Sequence, residues 1–267
     1  MKKELMIGIC LIAILGIIFC TQPVGGQQMD DPERAKVLKE VKSLLQKNDT
    51  FKAIEFVNSQ GEPETVAKRY LDLVMDFYWK EHALPQVIIF ASAGIQYSIT
   101  KAQELAKEES EKAVQLRSIA KTMAYNLASF TWPGWDEEGI VISKADLVTG
   151  LDAAKLNLRL ALELKKGSVP LSNAYWVLGA QYLAAQEYDE AIEGFVSAKE
   201  KAQEANDNAS ELMNLGYIGI AKVIGRSHKV EGERQFDEAI EGLKKLNTKD
   251  AKFYINQLKT ALKVFSE

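Results

Sequence analysis

Asp189-Glu190-Ala191-Ile192-Glu193-Gly194 recurs unchanged as Asp237-Glu238-Ala239-Ile240-Glu241-Gly242. An aromatic residue precedes each copy (Tyr188, Phe236) and an apolar residue follows it (Phe195, Leu243). Upstream, Leu178-Gly179 and Leu215-Gly216 form a second recurring pair. The duplicated unit is therefore a pair of helices and not one short motif, and a chain that repeats helix pairs points to a stacked array.

In the first copy, Tyr175, Leu178, Gly179 and Tyr182 fall on one helix face, and Tyr188, Ala191, Phe195 and Ala198 on one face of the next. Residues three and four apart are neighbours on a helix surface. Gly179 and Ala191 leave room for two backbones to cross, while Tyr182 and Phe195 fill the space further along. These eight residues, in this order, resemble the signature of the tetratricopeptide repeat. Leu212, Leu215, Gly216, Phe236, Ala239 and Leu243 are similar to a second repeat. Its first half lies 37 residues after that of the first repeat and its second half 48, so some 11 residues are expected as an insertion between its helices. Phe51-Lys52-Ala53-Ile54-Glu55-Phe56 is a faint upstream echo.

The resemblance implies a right-handed α-solenoid of antiparallel helical hairpins that serves as a protein-interaction scaffold. It also implies a concave groove lined by the first helix of each unit, here Asn173, Trp176, Val177, Ala180, Leu183 and Ala184. Relatives that grip a peptide's terminal carboxylate use Lys, Asn and Arg in such a groove. Trp176, Val177 and Ala180 leave that clamp absent. A mostly apolar groove suits an amphipathic helix or hydrophobic segment, and equally a neighbouring helix of the same chain.

From Pro32 onward apolar residues fall at helical spacing, and no alternating run bounded by hairpin-turn residues interrupts them. The expected class is all-α, with helices near 32–47, 50–58, 62–80, 84–107, 109–130, 143–166, 170–186, 188–204, 208–225, 235–246 and 249–265. Pro63, Pro85 and Pro170 sit where helices begin and a missing N–H costs nothing. Ser143, with Asp146 three positions on, reads as a helix N-cap. Two connectors are expected to be long, Thr131–Ile142 and Gly225–Arg234. The last helix carries Phe253, Ile255, Leu258, Leu262 and Phe265 on one side, as a solenoid's terminal cap requires. Three regions follow: a leader over 1–27, divergent hairpins over 31–166, and the repeats with the cap over 167–267.

Lys2-Lys3, an uncharged apolar stretch from Leu5 to Phe19, and small residues near Gly25-Gly26 have the three-part layout of a secretory signal. Export to a periplasmic or extracellular space is expected, with cleavage near Gly26, retention as an N-terminal membrane anchor, or lipidation at Cys20 as alternatives. Phe19 stands where a lipoprotein box wants a small residue. Cys10 and Cys20 are the only two cysteines, so the remaining chain has no thiol for disulfides or metal ligation. Without Lys2, Lys3 and Glu4 the chain holds 31 basic and 36 acidic residues, a net of −5 with no basic run, so nucleic acid is not an expected partner. Asn48 and Asn208 open glycosylation tripeptides, which matter only in a host that modifies them.

The most unusual segment is Thr131-Trp132-Pro133-Gly134-Trp135-Asp136-Glu137-Glu138-Gly139, two tryptophans and three carboxylates in one connector. Large amphipathic rings on a loop can anchor a partner, or fold back over the hairpin end. Consecutive Asp136, Glu137 and Glu138 lack the ligand spacing and central glycine of a calcium loop. His82 and His228, the only two histidines, belong to no zinc motif or triad. No nucleophile elbow, phosphate loop or dinucleotide fingerprint occurs.

No catalytic residue, metal site or cofactor is therefore expected. The sequence reads as a non-catalytic scaffold or adaptor that binds a protein or peptide through Trp132, Trp135, Asp136, Asn173, Trp176, Ala180 and Leu183. A periplasmic small-ligand-binding component with a pocket around Trp132, Trp135 and Trp176 is the alternative. A carbohydrate-active α/α toroid, with two carboxylates beside Trp platforms, is a minor one.

Overall fold

The computed structural model describes residues 32–226 and 228–267. The expected leader and both cysteines lie outside the described residues. Eleven α-helices follow one another among the described residues: α1 (Pro32–Gln46), α2 (Thr50–Asn58), α3 (Pro63–Trp79), α4 (Leu84–Leu105), α5 (Ser110–Phe130), α6 (Lys144–Glu163), α7 (Ser168–Ala184), α8 (Tyr188–Glu204), α9 (Asn208–Ile224), α10 (Lys229–Leu246) and α11 (Lys249–Ser266). No strand occurs among the described residues. One 3-10 turn, Pro133–Trp135, interrupts the connector between α5 and α6.

Local chemistry sets the boundaries. Asp49, Ser143, Asp207 and Thr248 each accept a hydrogen bond from an orphan N–H at the start of α2, α6, α9 and α11. At Ser143 the expected cap is a reciprocal capping box: Asp146 N–H donates to Ser143 Oγ at 3.3 Å and Ser143 N–H to Asp146 Oδ2 at 2.8 Å. Pro63 and Pro85 occupy first-turn positions. Most connectors turn through one residue of positive φ, among them Asn48, Gln186, Asn206 and Asn247, the left-handed conformation in which helices commonly end.

Consecutive helices pack as neighbours, and the odd-numbered helices also touch in sequence: α1 on α3, α3 on α5, α5 on α7, α7 on α9 and α9 on α11. They form an inner row, with the even-numbered helices packed between and outside them. The core runs along this row from Val37 and Val41 to Leu258 and Ala261. It continues across the 166/167 division without a break, since Gln181 on α7 donates to the Ala128 carbonyl on α5.

The α7–α8 hairpin closes where expected. A Cβ on Gly179 would stand 2.9 Å from the Phe195 ring and 3.0 Å from the Ala191 carbonyl, and one on Gly194 would lie 2.8 Å from Gly179 Cα. The α9–α10 hairpin repeats the crossing, with a Gly216 Cβ 3.3 Å from that of Ala239.

The extra 11 residues are not a loop. Beyond its crossing α9 runs three residues further than α7, the connector gains one, and α10 adds seven before Ala239 compared with α8 before Ala191. The expected Gly225–Arg234 connector is thus corrected to a short link followed by helix from Lys229. The added turns are held by a second small-residue contact, Gly219 against Gly232, where a Cβ on either would meet the other's carbonyl at 2.6–2.7 Å.

The N-terminal end has a charged anchor. Asp76, 2% exposed, takes Arg34 Nη2 at 2.6 Å and Nε at 3.0 Å, with Lys80 Nζ at 2.7 Å. Burial alone would raise this carboxyl, but hydrogen bonds and charge from Arg34 and Lys80 outweigh it and hold the group below its ordinary value.

Two outcomes are expected. Ala191→Glu, which forces a charge into a fully buried crossing, should cost about 3–5 kcal/mol in denaturant unfolding, and unchanged melting would refute the contact. Asp76→Asn should cost about 2 kcal/mol at neutral pH. A depressed carboxyl contributes stability above its unfolded pKa and loses it as pH falls through the folded value. The gap between Asp76→Asn and the parent should therefore close in acid, and a pH-independent gap would contradict the pairing.

Candidate functional site

The α5–α6 connector is folded back against the inner row. Thr131 Oγ1 donates to the Leu127 carbonyl at 2.7 Å, and Trp135 Nε1 donates to the Ser129 carbonyl at 2.9 Å, so both ends of the 3-10 turn are tied to the last turn of α5. Asp136 leaves the turn at φ +51°. Gly134 is required because a Cβ there would collide with the Trp132 ring. Two long-range links hold the rest: His82 Nδ1 donates to the Glu138 carbonyl at 2.8 Å, and Lys263 of α11 pairs with Asp136 at 3.2 Å.

Trp132 is 1% exposed and touches three inner helices at once. Its ring centroid lies 5.8 Å from that of Trp176 on α7, 5.9 Å from Tyr217 on α9, 6.0 Å from Phe265 on α11 and 5.2 Å from Trp135. Most of these contacts are edge-to-face, the geometry aromatic quadrupoles favour. The Tyr217 hydroxyl is pushed well above its ordinary range by burial, with Gln257 and Trp176 pulling it partly back.

This arrangement decides where the residues expected to meet a partner lie. Trp132, Trp176, Ala180 and Leu183 are all buried, as is Val177. As folded, the apolar face of α7 is covered by the chain's own Trp132 and by α5, and gives a partner no surface. Asn173 and Trp135 are half-buried, and Asp136 is exposed and paired with Lys263. Of the two occupants the apolar face allows, a partner or the chain itself, the chain's own residues fill it.

A cleft lies beside the plug, where the turn meets α3 and α11. It holds about 150 Å³, close to the roughly 150 Å³ that accommodates a benzene ring. Tyr78, Trp79, Phe130, Trp135 and Phe253 supply its aromatic lining; Glu137, Asn256, Gln257 and Thr260 supply the polar groups. Tyr78 stacks on Phe130 at 3.7 Å, and Trp79 stands perpendicular to both. A second depression, of about 300 Å³, shares Tyr78 and Glu137 with this cleft and is also lined by Ile140, Ile142 and Val264.

The α3 and α11 contributors to this cleft were not recognised as site residues in the sequence. The one local signal is Tyr78-Trp79, adjacent residues that cannot share one helix face, so that burying one leaves the other aimed elsewhere.

Among the described residues no group of three or more His, Cys, Asp or Glu could hold a metal ion, and no helix is long and apolar enough to cross a membrane. Compared with known proteins, the chain matches no family model and no curated protein. The site's own geometry therefore carries the functional argument.

Trp132→Ala should destabilise the protein by about 3–5 kcal/mol, the usual cost of emptying a fully packed tryptophan site. A shift in the denaturation midpoint worth less than about 1 kcal/mol would mean that the ring does not fill the inner face.

Proposed function

We propose that the protein is a non-catalytic binding module: a right-handed, tetratricopeptide-like array of helical hairpins that works outside the cytoplasm as an adaptor. Its leader either directs export or tethers it to a membrane. The reading of a partner lying along an open groove gives way to one in which a partner presents a single side chain or small group to the cleft between the 133–137 turn and α11. The observation that carries this is the cleft's lining, five aromatic rings with the Asn256 amide at one small opening. Aromatic anchors in partly desolvated pockets dominate binding energy at interfaces.

A second reading, a small-ligand-binding component, draws support from the same cleft's size. About 150 Å³ is smaller than the roughly 300–1,000 Å³ of pockets for drug-sized ligands, and it suits a ring or a short chain.

Asn256 is exposed on α11 at the cleft. Asn256→Arg should fill the opening without disturbing the core, so circular dichroism and melting stay as in the parent. Proteins or ligands retained by the immobilised parent from native extracts should then be depleted about tenfold or more on the variant, the effect of losing one hot spot. Equal retention by both would refute the cleft as the binding site.

A further inference from the structure

Among the polar groups of the cleft, which include the Asn256 amide and the Thr260 hydroxyl, one is charged. Glu137 brings a carboxylate, which makes no ion pair among the described residues, whereas its neighbour Asp136 is engaged by Lys263. Gln257 is 6% exposed and its amide is turned to the buried Tyr217 hydroxyl, so it offers the cleft little polar surface. An ionised carboxylate only accepts hydrogen bonds and asks for a donor.

The walls ask for positive charge. Tyr78 and Phe130 form one stacked face and Trp79 a second at right angles to it, with interplanar angles of 90° and 87°. Trp135 and Phe253, tilted by 31°, form a third. Ring faces carry negative quadrupole density, and rings set around a small space attract organic cations. The charge of Glu137 already reaches this wall: burial pushes the Tyr78 hydroxyl upward and Glu137 adds to the shift. An anion would meet the ring faces and Glu137 with the wrong sign. A neutral apolar group would bring the Glu137 carboxylate no donor, which is costly where water is displaced.

We propose that this cleft binds an alkylammonium group, held between the aromatic walls with its N–H donors directed to the Glu137 carboxylate. The volume admits a chain of about four carbons with its nitrogen, to judge from the roughly ring-sized capacity noted above. The inference rests on the cleft being the binding site. The same chemistry is available from a free small amine and from a lysine side chain of a partner.

The test is a nuclear magnetic resonance titration of the full protein, following the indole resonances of Trp79 and Trp135. Butylammonium chloride is compared with 1-butanol, a neutral molecule of nearly the same shape. Butylammonium should bind about tenfold more tightly than 1-butanol, as a desolvated cation–π site with a carboxylate implies. Glu137→Gln, isosteric at a half-buried position, should weaken butylammonium about fivefold or more and leave 1-butanol unchanged. An acetylated, amidated Gly-Lys-Gly peptide and its norleucine counterpart separate the two sources. Tighter binding of the lysine peptide than of the free amine assigns the cation to a protein, and the reverse order assigns it to a small molecule.

Equal affinity for butylammonium and 1-butanol, or no effect of Glu137→Gln, would overturn the cation assignment while leaving an apolar binding site in place. If neither ligand moves the indole resonances, the cleft itself is not a binding site and the underlying reading fails with it.

Discussion

The fold turns on the burial of one side chain from a connector. An inner row of helices that each present an apolar stripe must either expose that stripe or cover it, because leaving large contiguous apolar surface in water is unfavourable. Trp132 covers it. Standing between Trp176, Tyr217 and Phe265, its ring joins α7, α9 and α11 to the end of α5. A large aromatic residue buries about 150–250 Å², worth roughly 4–6 kcal/mol at about 25 cal/mol per Å² before the cost of ordering the connector. The tethers at Thr131, Trp135 and His82 fix the backbone in the geometry that lets the ring reach.

Filling the inner face also relocates whatever binding the molecule does. In an empty superhelical groove a partner would run along the helices. Here a small cleft remains at the plug's edge, bounded by residues as far apart in sequence as Tyr78 and Thr260. Its shape depends on the turn, on α3 and on α11 together. The Lys263–Asp136 pair, with both side chains more than half exposed, contributes little stability by itself. It does engage Asp136, whereas Glu137 makes no ion pair among the described residues.

Local order was legible in the sequence wherever its cause is local. Helical periodicity, the Ser143–Asp146 capping box, the proline starts and the Gly179–Ala191 crossing all depend on residues a few positions apart or on a single hairpin. The repeat between 178 and 243 was legible for the same reason. The helical stretch within 225–234 was not legible, because Gly232 there works as a contact residue against Gly219, a pairing that appears only once α9 and α10 are packed. The connector's fate was not legible at all. Whether Trp132 and Trp135 face water or the core depends on partners on α7, α9 and α11, from 41 positions (Trp135 to Trp176) to 133 positions (Trp132 to Phe265) further on in sequence, and no spacing rule reaches that far. For the same reason Trp176, Ala180 and Leu183 could be placed on one helix face without showing what lies against it.

The most direct measurement is hydrogen exchange at the Trp132 indole N–H, followed by nuclear magnetic resonance under native conditions. If the ring fills the inner face, this proton exchanges only through global unfolding, with the same protection as the core amides of α9. Exchange near the free rate while the helix amides stay protected would place the ring in water, leave the inner face uncovered, and contradict the structure described here.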